Sequence, residues 1–138
     1  PALVPAVFGR GEDTFMQKAM IGDHLNGRPL NALDFDEAHA LPPFERVLDL
    51  LGDGSIWAIS TPGHSPNHVS YLVNAQSGPV LITGDACAYH AQFEHRIRPS
   101  PGVDDQEAAI RSLAGLRELY DRFPQLQVMV GHEPPRRR

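Results

Sequence analysis

Ile56-Trp57-Ala58-Ile59-Ser60-Thr61-Pro62-Gly63-His64 and, a hairpin further on, Val80-Leu81-Ile82-Thr83-Gly84-Asp85 repeat one local design: a short apolar run, a glycine, then a side chain able to bind a metal. A third copy stands at Val128-Met129-Val130-Gly131-His132. Short apolar runs bounded by Gly and Pro read as strands. Glycine takes backbone angles closed to other residues, so the chain can turn sharply where each strand ends. Strand ends held in a sheet are rigid mounts for loop side chains. Imidazole nitrogen and carboxylate oxygen are donors that zinc and similar divalent ions accept. Taken singly, a histidine after a strand reads as a surface or hydrogen-bonded residue, and an aspartate after glycine as a turn residue. Three copies in one chain weigh against coincidence.

Outward from these motifs, Val47–Leu51 reads as a strand, Gly52-Asp53-Gly54-Ser55 as a turn and Ile56–Ser60 as the return strand. Val69–Val73 is β-rich, Asn74–Gly78 is a turn, and Val80–Thr83 is a fourth strand. A helix follows, with Asp104 as N-cap, Glu107 close to a capping box, and Ile110, Leu113, Leu116 or Arg117, Tyr120 and Phe123 at helical spacing. Pro124 stops it, and Val128–Val130 is a last strand. Toward the start, Pro1–Arg10 reads as irregular. Glu12–Ile21 reads as a short helix with Phe15, Met16 and Ala19 on one side, and Gly22–Ala32 as a loop broken by Gly27 and Pro29. The order of strands, helix and strand predicts an α/β layer structure. The expected organisation is one domain over residues 1–138, irregular with a short helix up to 46, and carrying the strands, the helix and the ligand loops over 47–133.

Composition narrows the partners. The 138 residues suffice for one ordinary domain. With 41% hydrophobic and 21% charged residues the chain is globular in character. A net charge of -5 argues against a nucleic-acid surface. The one basic run, Arg136-Arg137-Arg138, reads as a solvated end. No apolar stretch approaches the roughly 20 residues of a membrane helix. The single cysteine, Cys87, excludes an internal disulfide framework and fits a reducing, cytoplasmic setting. The first residue is Pro1, with no signal-like segment after it, so the chain is expected to be processed, cut or part of a longer one, any targeting segment lying upstream.

The wider segments Thr61-Pro62-Gly63-His64-Ser65-Pro66-Asn67-His68, Thr83-Gly84-Asp85 and Gly131-His132-Glu133 resemble, in this order, the later ligand motifs of the metallo-β-lactamase superfamily. The Leu51–Ser55 turn fits its lactonase-like members, and the resemblance runs from about Val47 to Glu133. It implies part of an αββα sandwich with a metal site at one edge of the sheets. His64 would ligate a first metal, His132 a second, and Asp85 would bridge them. The cofactor implied is a pair of divalent ions, zinc first among zinc, iron and manganese. The reaction implied is hydrolysis of a small-molecule ester or lactone by metal-activated water, with glyoxalase II-like thioester hydrolysis as the alternative. The family's H-x-H-x-D-H motif does not occur in these residues. The sequence thus resembles the C-terminal half of such a domain, with the N-terminal half and its ligands expected upstream of Pro1. A non-catalytic truncated module is the second alternative.

Other residues carry paired readings. His68 stands four after His64, but Pro66 between them rules out a helical metal pair, which favours a supporting role over direct ligation. Tyr89 either meets substrate, as a tyrosine near this place does in lactonase-like relatives, or packs under the loop. His90 and His95 either line the mouth of the pocket or, as the default, are exposed loop histidines; Cys87 reads as a small buried hydrophobe, and Trp57 as core. His24 and His39 carry no motif. Glu133 either orients His132 or is exposed.

Overall fold

The computed structural model describes residues 7–9, 31–35 and 38–136, and the chain divides into two compact units, Pro1–Asp34 and Phe35–Arg138. In the first, β1 (Val7–Gly9) and β2 (Asn31–Leu33) pair in parallel. Both stretches read as irregular in the sequence. Their pairing partners lie far apart along the chain, so no local periodicity reports them. The helix expected over Glu12–Ile21, the segment Gly22–Leu30 and His24 lie outside the described residues.

The second unit runs β3 (His39–Leu41), β4 (Phe44–Asp49), β5 (Ile56–Ser60), β6 (Val69–Ala75), β7 (Gly78–Gly84), α1 (His90–Glu94), α2 (Gln106–Arg122) and β8 (Gln127–Val130). These strands form one six-stranded sheet in sequence order. β3 to β7 are antiparallel neighbours, whereas β8 lies parallel to β7. Parallel neighbours require a crossover, and α1 and α2 supply it. The strands expected at Ile56–Ser60, Val69–Val73, Val80–Thr83 and Val128–Val130 are present, most of them longer by a residue or more. β4 begins at Phe44 and ends at Asp49, earlier than expected, and β3 and α1 went unread because each is too short to show a period.

Helix α2 covers one face of the sheet. Leu113, Leu116 and Leu119 bury against Val47, Ile59, Leu81, Val128 and Val130. Each fully buried side chain of this kind contributes about 1.5–3 kcal/mol relative to exposure. Gly115 faces Phe44, whose ring would stand 2.9 Å from an added Cβ, so a mid-helix glycine lets helix and sheet approach. The N-cap is Asp105 rather than Asp104: its side chain accepts from the Ala108 N–H at 2.9 Å. The third helical position is then Ala108, so Glu107 closes no capping box. The buried stripe also differs from the expected one, since Leu119 is buried while Phe123 is 39% exposed.

Along the strands, side chains alternate between faces. Leu48, Ala58, Tyr71, Ile82 and Met129 follow one another across the register on the face away from α2. A sheet apolar on both faces is built to lie between two layers. That is the sandwich pattern of a partial α/β domain.

Candidate metal centre

The C-terminal ends of β5, β7 and β8 and the N-terminal end of β6 meet at one edge of the sheet. The motif loops therefore converge there. The loop after β5 is closed by backbone bonds, Thr61 N–H to the His68 carbonyl at 3.0 Å and His68 N–H to the Ser65 carbonyl at 3.2 Å. It docks on the start of α2: Asp105 N–H donates to the Gly63 carbonyl at 3.0 Å, and Ser112 Oγ to the Pro62 carbonyl at 2.7 Å. Gly63 has φ 138°, and an added Cβ would sit 2.3 Å from the Ala109 backbone. Only glycine fits this contact.

The loop after β7 is tied to the end of β8. Gly131 N–H donates to the Cys87 carbonyl at 3.0 Å and His132 N–H to the Ala88 carbonyl at 2.9 Å. Thr83 Oγ1 donates to the Cys87 carbonyl at 2.9 Å from inside the turn. An added Cβ on Gly131 would stand 2.8 Å from the Gly84 carbonyl oxygen and 3.0 Å from Asp85 Oδ1, so the two loops pack backbone against backbone.

Asp85 lies at the centre of this edge. His132 Nε2 is 2.8 Å from its Oδ1, and His64 Nε2 is 3.5 Å from its Oδ2. Each carboxylate oxygen thus faces a different imidazole. The three side chains are 40–56% exposed and open to solvent. Among the described residues no group of three or more His, Cys, Asp or Glu side chains encloses a single ion. The donors themselves, two imidazole nitrogens and a carboxylate, suit divalent metals. Their arrangement around one carboxylate fits part of a two-ion centre better than a one-ion cage. A catalytic zinc usually takes three protein ligands, more than these residues give each ion.

His68 stands beneath Asp85. Its Nε2 accepts from the Asp85 backbone N–H at 3.1 Å, and its Nδ1 lies 2.9 Å from Thr61 Oγ1. Burial pushes its pKa below the ordinary histidine value, outweighing the upward pull of Asp85. The ring is neutral at pH 7, and both nitrogens are engaged by protein. Tyr89 is 46% exposed, with its ring centroid 5.8 Å from that of His132. It lies against the site instead of packing under the loop.

The remaining expectations divide. His90 is buried, not an exposed loop residue: its N–H donates to Glu133 Oε2 at 2.6 Å and its Nε2 lies 3.0 Å from the Pro134 carbonyl oxygen. Glu133 accordingly anchors α1 and pairs with Arg136, and does not orient His132. His95 and His39 are exposed. Cys87 is buried and free, and burial pushes its thiol up to about 12. Trp57 packs partly buried against the core and donates through Nε1 to the Gly54 carbonyl at 3.0 Å. Sequence reading missed Arg117, whose guanidinium donates to the carbonyls of Gln92 and Ile97 and so pins the segment after Tyr89 to α2. Its position at helical spacing signalled only a helix face. Among the described residues no helix is long and apolar enough to cross a membrane.

No protein-family model matches the chain. Among curated proteins, it is 36% identical over 87 residues to the N-acyl homoserine lactonase AttM of Azorhizobium caulinodans, across 62% of this chain and 32% of that protein. Among solved structures, a quorum-quenching N-acyl homoserine lactone lactonase superposes with a TM-score of 0.64 at 25% identity, over 93% of this chain and 48% of that one. The dizinc quorum-quenching lactonase AidC, solved with a product N-hexanoyl-L-homoserine, superposes with a TM-score of 0.51 at 18% identity, over 76% of this chain and 31% of that one. The chain spans less than half the length of these relatives. The chain has the metallo-β-lactamase fold of these solved lactonases, over about half of their length. Within that class, the curated relatives of this chain include N-acyl homoserine lactonases and a γ-lactamase.

Proposed function

We propose that this chain supplies the His64–Asp85–His132 part of a two-zinc centre for lactone hydrolysis, with N-acyl homoserine lactones as the substrate class. The observation that carries the reading is the Asp85 carboxylate, whose two oxygens face two different histidines. The lactonase relatives supply the substrate class, and the dizinc neighbour favours zinc. His64 would hold one ion, His132 the other, and Asp85 both. Ions held by these residues would supply Lewis acidity toward a lactone carbonyl and toward water, whose pKa such sites lower to about 7. The protein's own side chains do the rest. Asp85 fixes the separation between the two imidazoles. Both ring nitrogens of His68 are held by hydrogen bonds to Asp85 N–H and Thr61 Oγ1, which leaves neither free for an ion. Tyr89, exposed beside His132, would donate its hydroxyl to the carbonyl oxygen of a bound ester. Water adds across the lactone C–O bond, and the products at neutral pH are the ring-opened hydroxy carboxylate and a proton.

Calorimetric titration of the purified chain with zinc tests the reading. Binding that disappears in Asp85→Ala and weakens in His64→Ala and His132→Ala is expected, together with slow acid release from an N-acyl homoserine lactone in a pH-stat. Zinc binding that is absent, or indifferent to all three substitutions, sinks the proposal. A phenyl thioester assayed alongside separates lactone from thioester preference.

A further inference from the structure

One hydrogen-bond chain beneath the site has a direction that its two ends determine. At one end the Asp85 backbone N–H can only donate, so His68 Nε2, 3.1 Å away, is an acceptor and carries no proton. At the other end the Thr83 carbonyl can only accept, so Ser70 Oγ, at 3.0 Å, donates to it. Ser70 has one hydroxyl proton, so it accepts from Thr61 Oγ1 at 2.9 Å. Thr61 has then spent its own proton and accepts from His68 Nδ1–H at 2.9 Å. The order is Asp85 N–H, His68, Thr61, Ser70, Thr83 carbonyl, with no alternative direction. Thr61, Ser70 and Thr83 are fully buried, so water does not compete for these groups. The chain joins the ends of β5, β6 and β7 to one another. It also returns on itself, because Thr83 and Asp85 flank Gly84, whose added Cβ would stand 3.0 Å from His68 Nε2 at φ 52°.

We infer that His68 is the positioning residue of the centre: held as the Nδ1–H tautomer by Thr61 and Ser70, it grips the Asp85 backbone and leaves the carboxylate free to face His64 and His132. This rests on the reading of Asp85 as a ligand given above. The carboxylate of an aspartate after a tight turn ordinarily folds back onto nearby backbone N–H groups. Here the imidazole satisfies the Asp85 N–H, and both carboxylate oxygens remain outward. Partners behind a ligand of this kind typically change metal affinity by about 10–100-fold.

Two-bond nitrogen–proton spectra of the ring-labelled chain test the inference without any metal. The His68 ring is expected to show Nδ1 protonated and Nε2 bare, opposite to the tautomer that free imidazole side chains favour in water. Added zinc should shift Nε2 of His64 and His132 and leave the His68 nitrogens where they are. An Nε2–H tautomer overturns the inference, as does a zinc-dependent shift of His68 Nε2, which would make it a ligand. The variants separate positioning from bulk stability. His68→Gln keeps an acceptor near the Nε2 position and should hold zinc within a few-fold of the parent. His68→Leu should lose about 10–100-fold. Equal losses in both, tracking only their melting temperatures, would overturn it too. If the parent binds no zinc, the hydrolase reading fails while the tautomer still decides this one.

Discussion

Two aspartates stand at opposite ends of the same sheet, each at a strand end beside glycines. Asp49 closes β4, and its carboxylate accepts from the backbone N–H groups of Leu51, Gly52 and Gly54 at 3.3, 3.1 and 2.7 Å. Asp85 follows β7, and among the described residues its carboxylate meets two imidazoles and no backbone donor. One is consumed in shaping its loop; the other keeps both oxygens turned toward imidazoles. The difference lies in who satisfies the local N–H groups. Around Asp49 the carboxylate must do it, because Gly52 and Gly54, at φ 72° and 75°, turn their amides inward. Around Asp85, His68 and neighbouring carbonyls do it instead. Residue type and local glycine content are alike, so the function of an aspartate here is set by its surroundings.

Substitution at the two positions should separate them sharply. Asp85→Ala is expected to abolish zinc binding, a larger effect than the roughly 10–100-fold of an outer partner, while thermal unfolding shifts by a few degrees at most. Calorimetry beside a melting curve reads both. Zinc binding that survives would put Asp85 in the same class as Asp49 and dissolve the contrast.

The glycines sharpen it. Gly63→Ala should cost about 3 kcal/mol or more in denaturant unfolding, since the methyl collides with the Ala109 backbone at a left-handed φ. Gly52→Ala, with nothing within 4 Å, meets only backbone strain and should cost about 1 kcal/mol. Equal costs would mean that the site loop is not docked on α2 as described.

Asp49→Ala is the mirror of the first experiment. Losing three acceptor contacts, mostly exposed, should cost about 1–3 kcal/mol of unfolding free energy and leave zinc binding unchanged. A fall in zinc affinity would show that the two ends of the sheet are coupled. The smallest effect is expected at Cys87. Its thiol, pushed up to about 12 by burial, stays protonated below that pH, so native protein should resist alkylation at pH 8 and react only when unfolded. Rapid labelling of native protein would show that the loop after Asp85 opens readily.

Much of this was legible beforehand. The strands at Ile56–Ser60 and Val80–Thr83 announced themselves because their apolar runs end at Gly and Pro. The ligand candidates followed, because each sat one residue past a strand-end glycine. Gly115 was silent in the sequence, since its purpose is the Phe44 ring across the interface. His90 read as an exposed loop histidine because its partners, Glu133 and Pro134, lie more than forty residues on.

By itself the sequence determined the order of β4 to β8 with α2 between the last two, the three strand-end motifs and the residue types fit for a metal. Those properties are local: periodicity, turn chemistry and donor atoms are carried by neighbours along the chain. Only the tertiary structure decided that His64 and His132 address opposite oxygens of Asp85, that His68 holds the backbone beneath it, and that Asp49 does none of this. Those properties depend on hydrogen-bond directions and approaches of a few ångströms between strand ends, and β-strand register, not sequence spacing, sets such distances.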